Sequence, residues 1–273
     1  SQALSANTTG VASVAIGDDA LKTADTGQHN TAIGYRAGDA ITSAEGAVLV
    51  GSGAGGAITT AGSTTCIGYN AGSSISTPTG NVCINHDAGG GITTGTHNIC
   101  IGFRAGKHST AIVDGTQNIM IGTDSRPSAT DSSNNICIGY AVVSGAANTF
   151  TFGDAGNDSA VQFGATSISA PSDVRYKKNI NDGVAGLSFI NDLRPVTYEW
   201  KNEGDLPVGH NSYVEGSTKQ FKNSTVNHGF IAQEVKEVID NHSEIKDGFN
   251  MWLEDDFDGR QRIAEGALVP MLV

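Results

Sequence analysis

Short apolar segments that end in an apolar–glycine pair recur along the N-terminal half of the chain. The apolar member of each pair, here called the anchor, is Ile16, Ile33, Val50, Ile67, Ile84, Ile101, Ile121 or Ile138. Successive anchors are 17 residues apart, except for one spacing of 20 between Ile101 and Ile121. A period this constant is typical of a repeat protein in which each unit forms one coil of a solenoid.

Each unit carries the marks of one short strand between two turns. Asparagine stands three residues before five of the anchors, and Ala-Gly follows five of them at the fourth and fifth positions. This pattern predicts a short extended segment bounded by turn residues. We expect the coils to stack about 4.8 Å apart, so that the anchors form a ladder and the asparagines hydrogen-bond from coil to coil.

A coil of this length makes a thin solenoid with few large apolar groups. Its glycines and alanines permit tight corners and a close approach between neighbouring coils or chains. We therefore expect the apolar surface to be buried between several chains rather than within one. The pattern predicts a mainly β chain that begins with a β-solenoid and assembles into a fibrous oligomer, most simply a trimer.

All four cysteines stand directly before an anchor, at Cys66, Cys83, Cys100 and Cys137. Other coils place alanine, leucine or methionine at this position, which indicates a small apolar slot. Zinc sites need paired ligands at short spacing, and a single cysteine per coil does not provide them. We predict free, buried thiols, with no metal site and no cofactor.

After residue 171 the periodicity disappears and ordinary elements follow. The pattern predicts a short helix over 185–192, a strand over 196–201, a long polar loop over 203–227 and a helix over 230–240. The acidic segment 254–259 lacks the full pattern of a calcium-binding loop and predicts a hairpin turn.

Composition changes at the same place. Of the 36 glycines, 27 lie before residue 172, whereas both tryptophans lie after it. We predict three regions: a repeat β-solenoid over 1–147, a solenoid cap and linker over 148–171, and a small α+β domain over 172–273. Large apolar groups such as Phe150 and Phe152 are expected to seal the last coil within the cap.

The charge argues against two classes of partner. The net charge is −12, shared evenly between the two parts of the chain, and the sequence has no Lys/Arg cluster. We expect no binding to nucleic acid and no insertion into a membrane. The repeat is already in progress at Ser1 and the chain stops in an apolar run at Val273, so we expect it to be part of a longer protein.

The junction itself carries candidate chemistry. Ser172 is followed five residues later by Lys177, with the cations Arg175 and Lys178 beside it. A serine hydroxyl is a weak nucleophile that needs an adjacent base, and a lysine is a base only when neutral, which nearby cations favour. The structural alternative is that Ser172 and Asp173 cap a short helix that runs to Lys178.

Four blocks in the second part resemble a known processing domain. They read Ser-Asp-Val-Arg-Tyr-Lys-Lys-Asn-Ile at 172–180, Leu-Arg-Pro-Val-Thr-Tyr-Glu-Trp-Lys at 193–201, Gly-Phe-Ile-Ala-Gln-Glu-Val at 229–235 and Leu-Val-Pro-Met-Leu at 268–272. In this order they are similar to the C-terminal intramolecular chaperone auto-processing domain (peptidase family S74) of phage tail spikes, tail fibres and endosialidases. The upstream repeats are similar to those of phage fibres and, more loosely, of trimeric bacterial adhesin heads.

The resemblance implies a mechanism for this chain. Ser172 matches the family's nucleophile and Lys177 its base, and the cut falls between Pro171 and Ser172. The family's domain trimerises, holds the upstream β-structure in register while it folds, and then removes itself. The resemblance also implies that residues 203–227 form an arm that embraces the upstream β-structure. It also implies that residues 268–273 begin a C-terminal helix, which would continue as a coiled coil beyond the end of this chain.

The sequence therefore predicts the distal part of a homotrimeric phage tail fibre or spike with a single-turnover serine protease at its end. Such a protein would be made in the bacterial cytoplasm, join other tail proteins in the virion and bind a host surface glycan or protein receptor. Two alternatives stay open: a structural trimeric adhesin that never cleaves, and a polysaccharide depolymerase whose active site lies elsewhere.

Overall fold

The computed structural model describes residues 2–60, 62–77, 79–165, 168, 174–180, 186–210, 212–246, 249–254 and 259–271. By internal contacts the chain divides into two compact units, Ser1–Tyr176 and Lys177–Val273.

The first unit is a β-solenoid with one strand per repeat. Eight strands stack in parallel and in chain order: β1 (Val14–Ile16), β2 (Thr31–Ile33), β3 (Val48–Val50), β4 (Thr65–Ile67), β5 (Val82–Ile84), β6 (Ile99–Ile101), β7 (Ile119–Ile121) and β8 (Ile136–Tyr140). The register sets each anchor beside the next, for example Ile67 beside Ile84 and Ile84 beside Ile101. The predicted β-solenoid and its ladder of anchors are confirmed.

Side chains alternate along each strand, which separates an inner from an outer column. The second residues of β2 to β8 are fully buried, namely Ala32, Leu49, Cys66, Cys83, Cys100, Met120 and Cys137. The cysteines are free, as the small apolar slot predicts. The anchors point the other way: Ile33 and Ile67 are each 37% exposed.

A second apolar column, which the sequence analysis did not predict, supplies large side chains to the solenoid core. Eight residues after each of four successive anchors stands a fully buried isoleucine, at Ile41, Ile58, Ile75 and Ile92. In the longer coil the matching residue is Ile112, eleven residues after Ile101 and also fully buried. The three extra residues therefore precede this core position and leave the strand register unchanged.

Glycine follows the anchor because the coils approach too closely for a side chain there. At Gly68 an added Cβ would lie 2.6 Å from the carbonyl carbon of Asn85 in the next coil, and the backbone φ is +133°. Both conditions strongly favour glycine at this position. Asn85 takes the equivalent place in the next coil, with a φ of +99°.

The stack continues past the last anchor with two longer strands. Strand β9 (Thr149–Asp154) runs parallel to β8, and β10 (Asn157–Gln162) turns back antiparallel to it. The expectation that phenylalanines seal the last coil was wrong. The register sets Phe150 beside Ile136 and Phe152 beside Ile138, so the phenylalanines continue the outer column, and Thr149 and Thr151 are buried instead.

The second unit is a small α+β domain, as predicted. It contains α1 (Leu187–Asp192), β11 (Val196–Tyr198), β12 (Asn227–Gly229), α2 (Ala232–Asn241), β13 (Trp252–Glu254) and β14 (Gln261–Ile263). Strands β11 and β12 pair antiparallel, as do β13 and β14. The core is formed by Phe189, Leu193, Val235, Ile239 and Met251.

The predicted helices and strand of this unit exist with slightly different bounds: α1 and β11 are shorter, whereas α2 begins two residues later and ends one residue later than predicted. Strands β13 and β14 form the expected hairpin, although its acidic turn at 255–258 lies outside the described residues. The predicted C-terminal helix is a 3₁₀ helix over Glu265–Met271. Among the described residues, no helix combines the length and apolar character needed to cross a membrane.

Candidate functional site

Only part of the predicted Ser–Lys pair is described. Pro171 and Ser172 lie outside the described residues, and the chain resumes with one 3₁₀ turn over Val174–Tyr176. Lys177 follows this turn directly and is exposed, as are the two predicted tuning cations, Arg175 and Lys178. The proposed base thus stands on the surface of the single chain, and its distance from Ser172 is not described.

The second and third sequence blocks meet in space. Arg194 lies between α1 and β11, and its guanidinium contacts the carboxylate of Glu234 on α2. Arg194 Nε donates to Glu234 Oε2 over 3.0 Å, and Nη2 donates to Oε1. The hydrogen bonds from Arg194 lower the pKa of Glu234 below its ordinary value. The pair connects residues 40 positions apart and ties α2 to the chain between α1 and β11.

The same two blocks also pair through their backbones. Strand β11 sets Val196 beside Gly229 and Tyr198 beside Asn227. The blocks that are separated in sequence by the long polar loop are therefore neighbours in the fold.

An aromatic hollow lies on this unit, which the sequence analysis did not identify. Its volume is about 470 Å³, and its lining includes Tyr198, Trp200, Phe221 and Phe230. The ring of Trp200 meets those of Tyr198 and Phe221 edge to face, at 5.3 and 5.7 Å between centroids. The Lys222 ammonium lies 4.1 Å from the centre of the Trp200 ring, within range of a cation–π contact. Phe221 belongs to the polar segment in which no periodicity marks it as a core residue.

Helix α2 ends at a histidine held between two carboxylates. His242 Nε2 lies 2.9 Å from Asp192 Oδ2, and Nδ1 lies 2.8 Å from Glu244 Oε1. Hydrogen bonds to Glu244 and Asp192 raise the pKa of His242 above its ordinary value. The ring also packs edge to face on Phe189 at 5.3 Å between centroids. This cluster joins the ends of α1 and α2.

The anchors, together with the first residues of the same strands, form an outward-facing apolar stripe on the solenoid. It is made by the outward residues of the parallel strands, which include Val14, Ile16, Ile33, Val48, Ile67 and Ile138. Their exposed fractions run from 36% at Val48 to 58% at Ile16. A continuous apolar stripe of this kind marks an interaction surface.

The described residues were compared with the requirements of a metal-binding site. No group of three or more His, Cys, Asp or Glu side chains is placed to hold a metal ion among those residues. The stacked thiols of Cys66 and Cys83 face each other in the core, where hydrogen bonding and burial raise their pKa values well above the ordinary range. They behave as core groups rather than as ligands.

A comparison with protein-family models matches residues 172–244 to the peptidase S74 family, described as the chaperone of endosialidase. Residues 172–244 are therefore similar to the chaperone of endosialidase family. A search of curated proteins and a search of solved structures gave no match for the chain. The match begins at Ser172 and includes α1, β11, β12 and α2.

The chaperone domain and the β-solenoid together fit one kind of protein. A solenoid of stacked 17-residue coils followed by a chaperone of endosialidase domain fits a tail fibre or tail spike with a C-terminal chaperone. The family is one of self-cleaving chaperones in general. The resemblance inferred from the four sequence blocks is therefore confirmed at the level of the family.

Proposed function

We propose that this chain is the distal part of a homotrimeric phage tail fibre or spike for host attachment, whose chaperone domain drives trimerisation and then cuts itself off before Ser172. The observation that carries the proposal is the position of the family match. It starts at residue 172, shortly after the solenoid strands end at Gln162. The domain thus follows a substrate that needs help to fold.

The stacked solenoid explains why a chaperone is useful. Each coil offers nearly the same strand, so a slip by one whole repeat sets an anchor beside an anchor again and costs little. In a trimer, the coils of the three chains must also be aligned in the same register. A domain that trimerises first would align the chains before the coils propagate, because it holds the three C-terminal ends of the solenoid together.

The apolar stripe of anchors supports the trimer. Ile33 and Ile67 are each 37% exposed, and Ile138 is 40% exposed, although all three are aliphatic and lie in one column. Exposed aliphatic surface at this density is unfavourable in water, at about 25 cal/mol for each Å². Burying the stripe against the same stripe of two other copies removes this cost. The arrangement supports a fibre with the anchors along its inner face.

The chemistry of the cut follows from the residues at the junction. Ser172 Oγ attacks the carbonyl carbon of Pro171 through a five-membered ring while Lys177 accepts the hydroxyl proton. The Pro171–Ser172 carbon–nitrogen bond breaks, leaving an ester on Oγ and a free Ser172 amine that takes up a proton. Water then opens the ester to a Pro171 carboxylate and a free hydroxyl. Proximity within one dipeptide supplies much of the rate.

The exposure of Lys177 suggests when the cut occurs. A lysine acts as a base only in its neutral form, which burial or nearby cations favour. In the single chain Lys177 is exposed, so the single chain does not provide that burial. We infer that contacts made on assembly complete the site, which would restrict cleavage to chains that have already trimerised.

The test is a denaturing gel of freshly folded protein. The wild type should yield two fragments, and N-terminal sequencing of the smaller one should read Ser-Asp-Val-Arg. Ser172→Ala should stay intact because it lacks the nucleophile. Lys177→Ala and Lys177→Arg should both stay intact, since arginine keeps the charge but cannot accept the proton. The exposed positions Ser224 and Lys246 supply matched controls, and Ser224→Ala and Lys246→Ala should cleave normally.

Two results would overturn parts of this proposal. A wild type that folds into a trimer and stays intact would refute the cut and favour the non-cleaving adhesin. Cleavage in Lys177→Arg at the wild-type rate would refute the role of Lys177 as base. A folded wild type that light scattering shows to be a monomer would refute the trimer.

A further inference from the structure

A notch opens on the surface of the solenoid between two tyrosines. Its volume is about 370 Å³, within the usual range for small-ligand sites. Tyr35 and Tyr69 form its two walls, and each side chain is 54% exposed. The two tyrosines occupy the same repeat position, two residues after the anchor, in coils two apart. Two strand spacings separate them by roughly 10 Å along the stack.

The notch exists because the coil between the tyrosines has a smaller side chain at one position and none at two others. Where the flanking coils read Tyr-Arg-Ala-Gly-Asp at 35–39 and Tyr-Asn-Ala-Gly-Ser at 69–73, the middle coil reads Ser-Gly-Ala-Gly-Gly at 52–56. Ser52 stands in place of a tyrosine, and Gly53 and Gly56 replace the two polar residues. The floor of the notch is therefore backbone.

Polar groups of the flanking coils reach over this floor. Asn70 Oδ1 lies 2.4 Å from the point that a Cβ on Gly53 would occupy, so the amide extends into the space left by the missing side chain. On the opposite side Asp39 Oδ1 lies 3.5 Å from the corresponding point on Gly56. An amide and a carboxylate thus approach the glycine floor from the two walls.

An ion pair fixes the carboxylate in place. Arg36 Nε donates to Asp39 Oδ2 over 2.6 Å, and the Asp39 side chain is only 13% exposed. The pair leaves Oδ1 of Asp39 directed at the notch while Oδ2 is held by the guanidinium. Among the described lining residues, Arg36 is the cation and Asp39 the anion, so the lining carries no net charge.

These groups match the chemistry of a sugar ring. A pyranose presents apolar C–H faces that pack on aromatic rings and a rim of hydroxyls that both donate and accept hydrogen bonds. Tyrosine offers a broad apolar face with a polar end, and the amide and carboxylate offer acceptors and donors for the hydroxyls. A shallow floor of backbone gives an apolar peptide side chain no deep pocket to fill.

We propose that the Tyr35–Tyr69 notch binds an uncharged saccharide, with the two tyrosines packing on sugar faces and Asp39 and Asn70 hydrogen-bonding hydroxyls. A neutral saccharide is favoured over an acidic one because the cation of the lining is already paired with Asp39. The inference rests on the host-attachment part of the proposed function and supplies a ligand class and a location for it.

Ser52→Tyr is the decisive variant. The flanking coils already carry tyrosine at this repeat position, so the substitution should fold and fill the notch with a third ring. Thr123→Tyr makes the same change at the same repeat position three strands beyond Tyr69 in the stack, and serves as its matched control. Tyr35→Ala removes one wall, and Tyr140→Ala removes an equally exposed tyrosine of the same column as the second control.

The measurement is saturation-transfer NMR on the intact chain. The probes are methyl glycosides of glucose, galactose, mannose and N-acetylglucosamine, the corresponding neutral disaccharides, and sialyllactose as the acidic comparison. At least one neutral probe should bind, with affinity reduced at least tenfold in Ser52→Tyr and Tyr35→Ala and unchanged in Thr123→Tyr and Tyr140→Ala. No neutral binding, tighter binding of sialyllactose, or binding that survives in Ser52→Tyr would each overturn the inference.

Two parallel measurements separate this inference from the proposals on which it rests. Light scattering should find Ser52→Tyr in the same oligomeric state as the wild type; a change of state would show that the notch is a contact between copies and would overturn the saccharide site. Adsorption of the wild type to bacterial cells tests host attachment by itself. If the wild type adsorbs and Ser52→Tyr adsorbs equally, the notch is refuted and host attachment stands. If a saccharide binds as expected and the wild type adsorbs to no cell, host attachment is refuted instead.

Discussion

The side-chain amide of Asn118 donates to Oδ1 of Asn98 over 3.0 Å, although 20 residues separate the two instead of 17. Asn135 makes the same bond to Asn118, also over 3.0 Å, across an ordinary coil. The three extra residues of the longer coil are accommodated elsewhere. The asparagine column therefore holds the spacing of neighbouring coils at the residue just before each strand.

Asn98→Ala should weaken the solenoid strongly. Asn98 is fully buried, its Oδ1 accepts from both the backbone and side-chain nitrogens of Asn118, and its Nδ2 donates to the Gly115 carbonyl. The substitution leaves several buried polar groups without partners, and we expect the free energy of unfolding to fall by about 3 kcal/mol. Denaturant unfolding followed by far-UV circular dichroism measures this. The control Asn157→Ala, at an exposed asparagine of β10, should change the free energy of unfolding little. Equal losses in the two variants would refute the role of the asparagine column.

The four thiols should be unreactive in the folded protein. Cys66, Cys83, Cys100 and Cys137 are all buried, and burial raises the pKa of Cys137 to about 12. The thiolate is the reactive form, so little Cys137 thiolate exists at pH 8, and burial also shields all four sulfur atoms from the reagent. Ellman's reagent should detect four thiols after unfolding in guanidinium and almost none before. The exposed variant Ser43→Cys should add one thiol that reacts at once, and rapid reaction of the native wild type would show that the solenoid opens.

The His242 cluster should make the stability of the second unit depend on pH. Pairing with Glu244 and Asp192 raises the pKa of His242 in the folded state. This stabilisation is complete below the unfolded pKa and is lost as the pH rises through the folded pKa. The pKa of Glu244 is lowered, mainly by its hydrogen bond with His242, so its contribution is lost as the pH falls through its folded pKa. The His242 cluster should therefore stabilise the second unit most at pH values between the folded-state pKa of Glu244 and that of His242.

Tryptophan fluorescence reports on this unit, because both tryptophans, Trp200 and Trp252, lie in it. Urea unfolding of the wild type between pH 6 and 9 should show a falling midpoint. In His242→Gln the midpoint should fall less over the same pH range. The loss of the imidazole ring that packs on Phe189 changes the absolute stability but does not restore this pH dependence. His228→Gln, at an exposed residue of β12, should keep the wild-type profile. A profile in His242→Gln as steep as that of the wild type would contradict the assignment.

Charging the stripe of anchors should separate the copies without unfolding them. The double variant Ile33→Glu/Ile67→Glu places carboxylates at outward positions of β2 and β4, where they would face one another across the proposed trimer. We expect light scattering to report monomers and far-UV circular dichroism to keep its native shape. Ser43→Glu adds a charge at an exposed turn and should remain trimeric. Persistence of the trimer in the double variant would place the interface elsewhere.

Several features of the chain followed from local pattern. The period of the anchors predicted one strand per coil, and the residue before each anchor predicted the buried slot that Cys66, Cys83 and Cys100 occupy. The four ordered blocks after residue 171 predicted the family that the comparison confirms. The repeat features could be predicted because equivalent positions of successive coils share the same environment. The residues found along one column therefore show which side chains that position accepts.

Other features depended on which face of each strand turns inward. The register sets Phe150 and Phe152 in the outer column and buries Thr149 and Thr151, the reverse of what hydrophobicity alone predicts. The notch forms because Tyr35 and Tyr69 lie on either side of the glycines in the coil between them. These residues become neighbours only when the coils stack.

The sequence by itself determined the period of this protein, its small buried slot and the family of its C-terminal domain, because each is set by residues close together in the chain or repeated along it. The tertiary structure decided which side of each strand faces the core, which residues wall the notch, and that Arg194 meets Glu234 and His242 meets Asp192. Those relationships join residues from different coils or elements, and only stacking and packing bring them into contact.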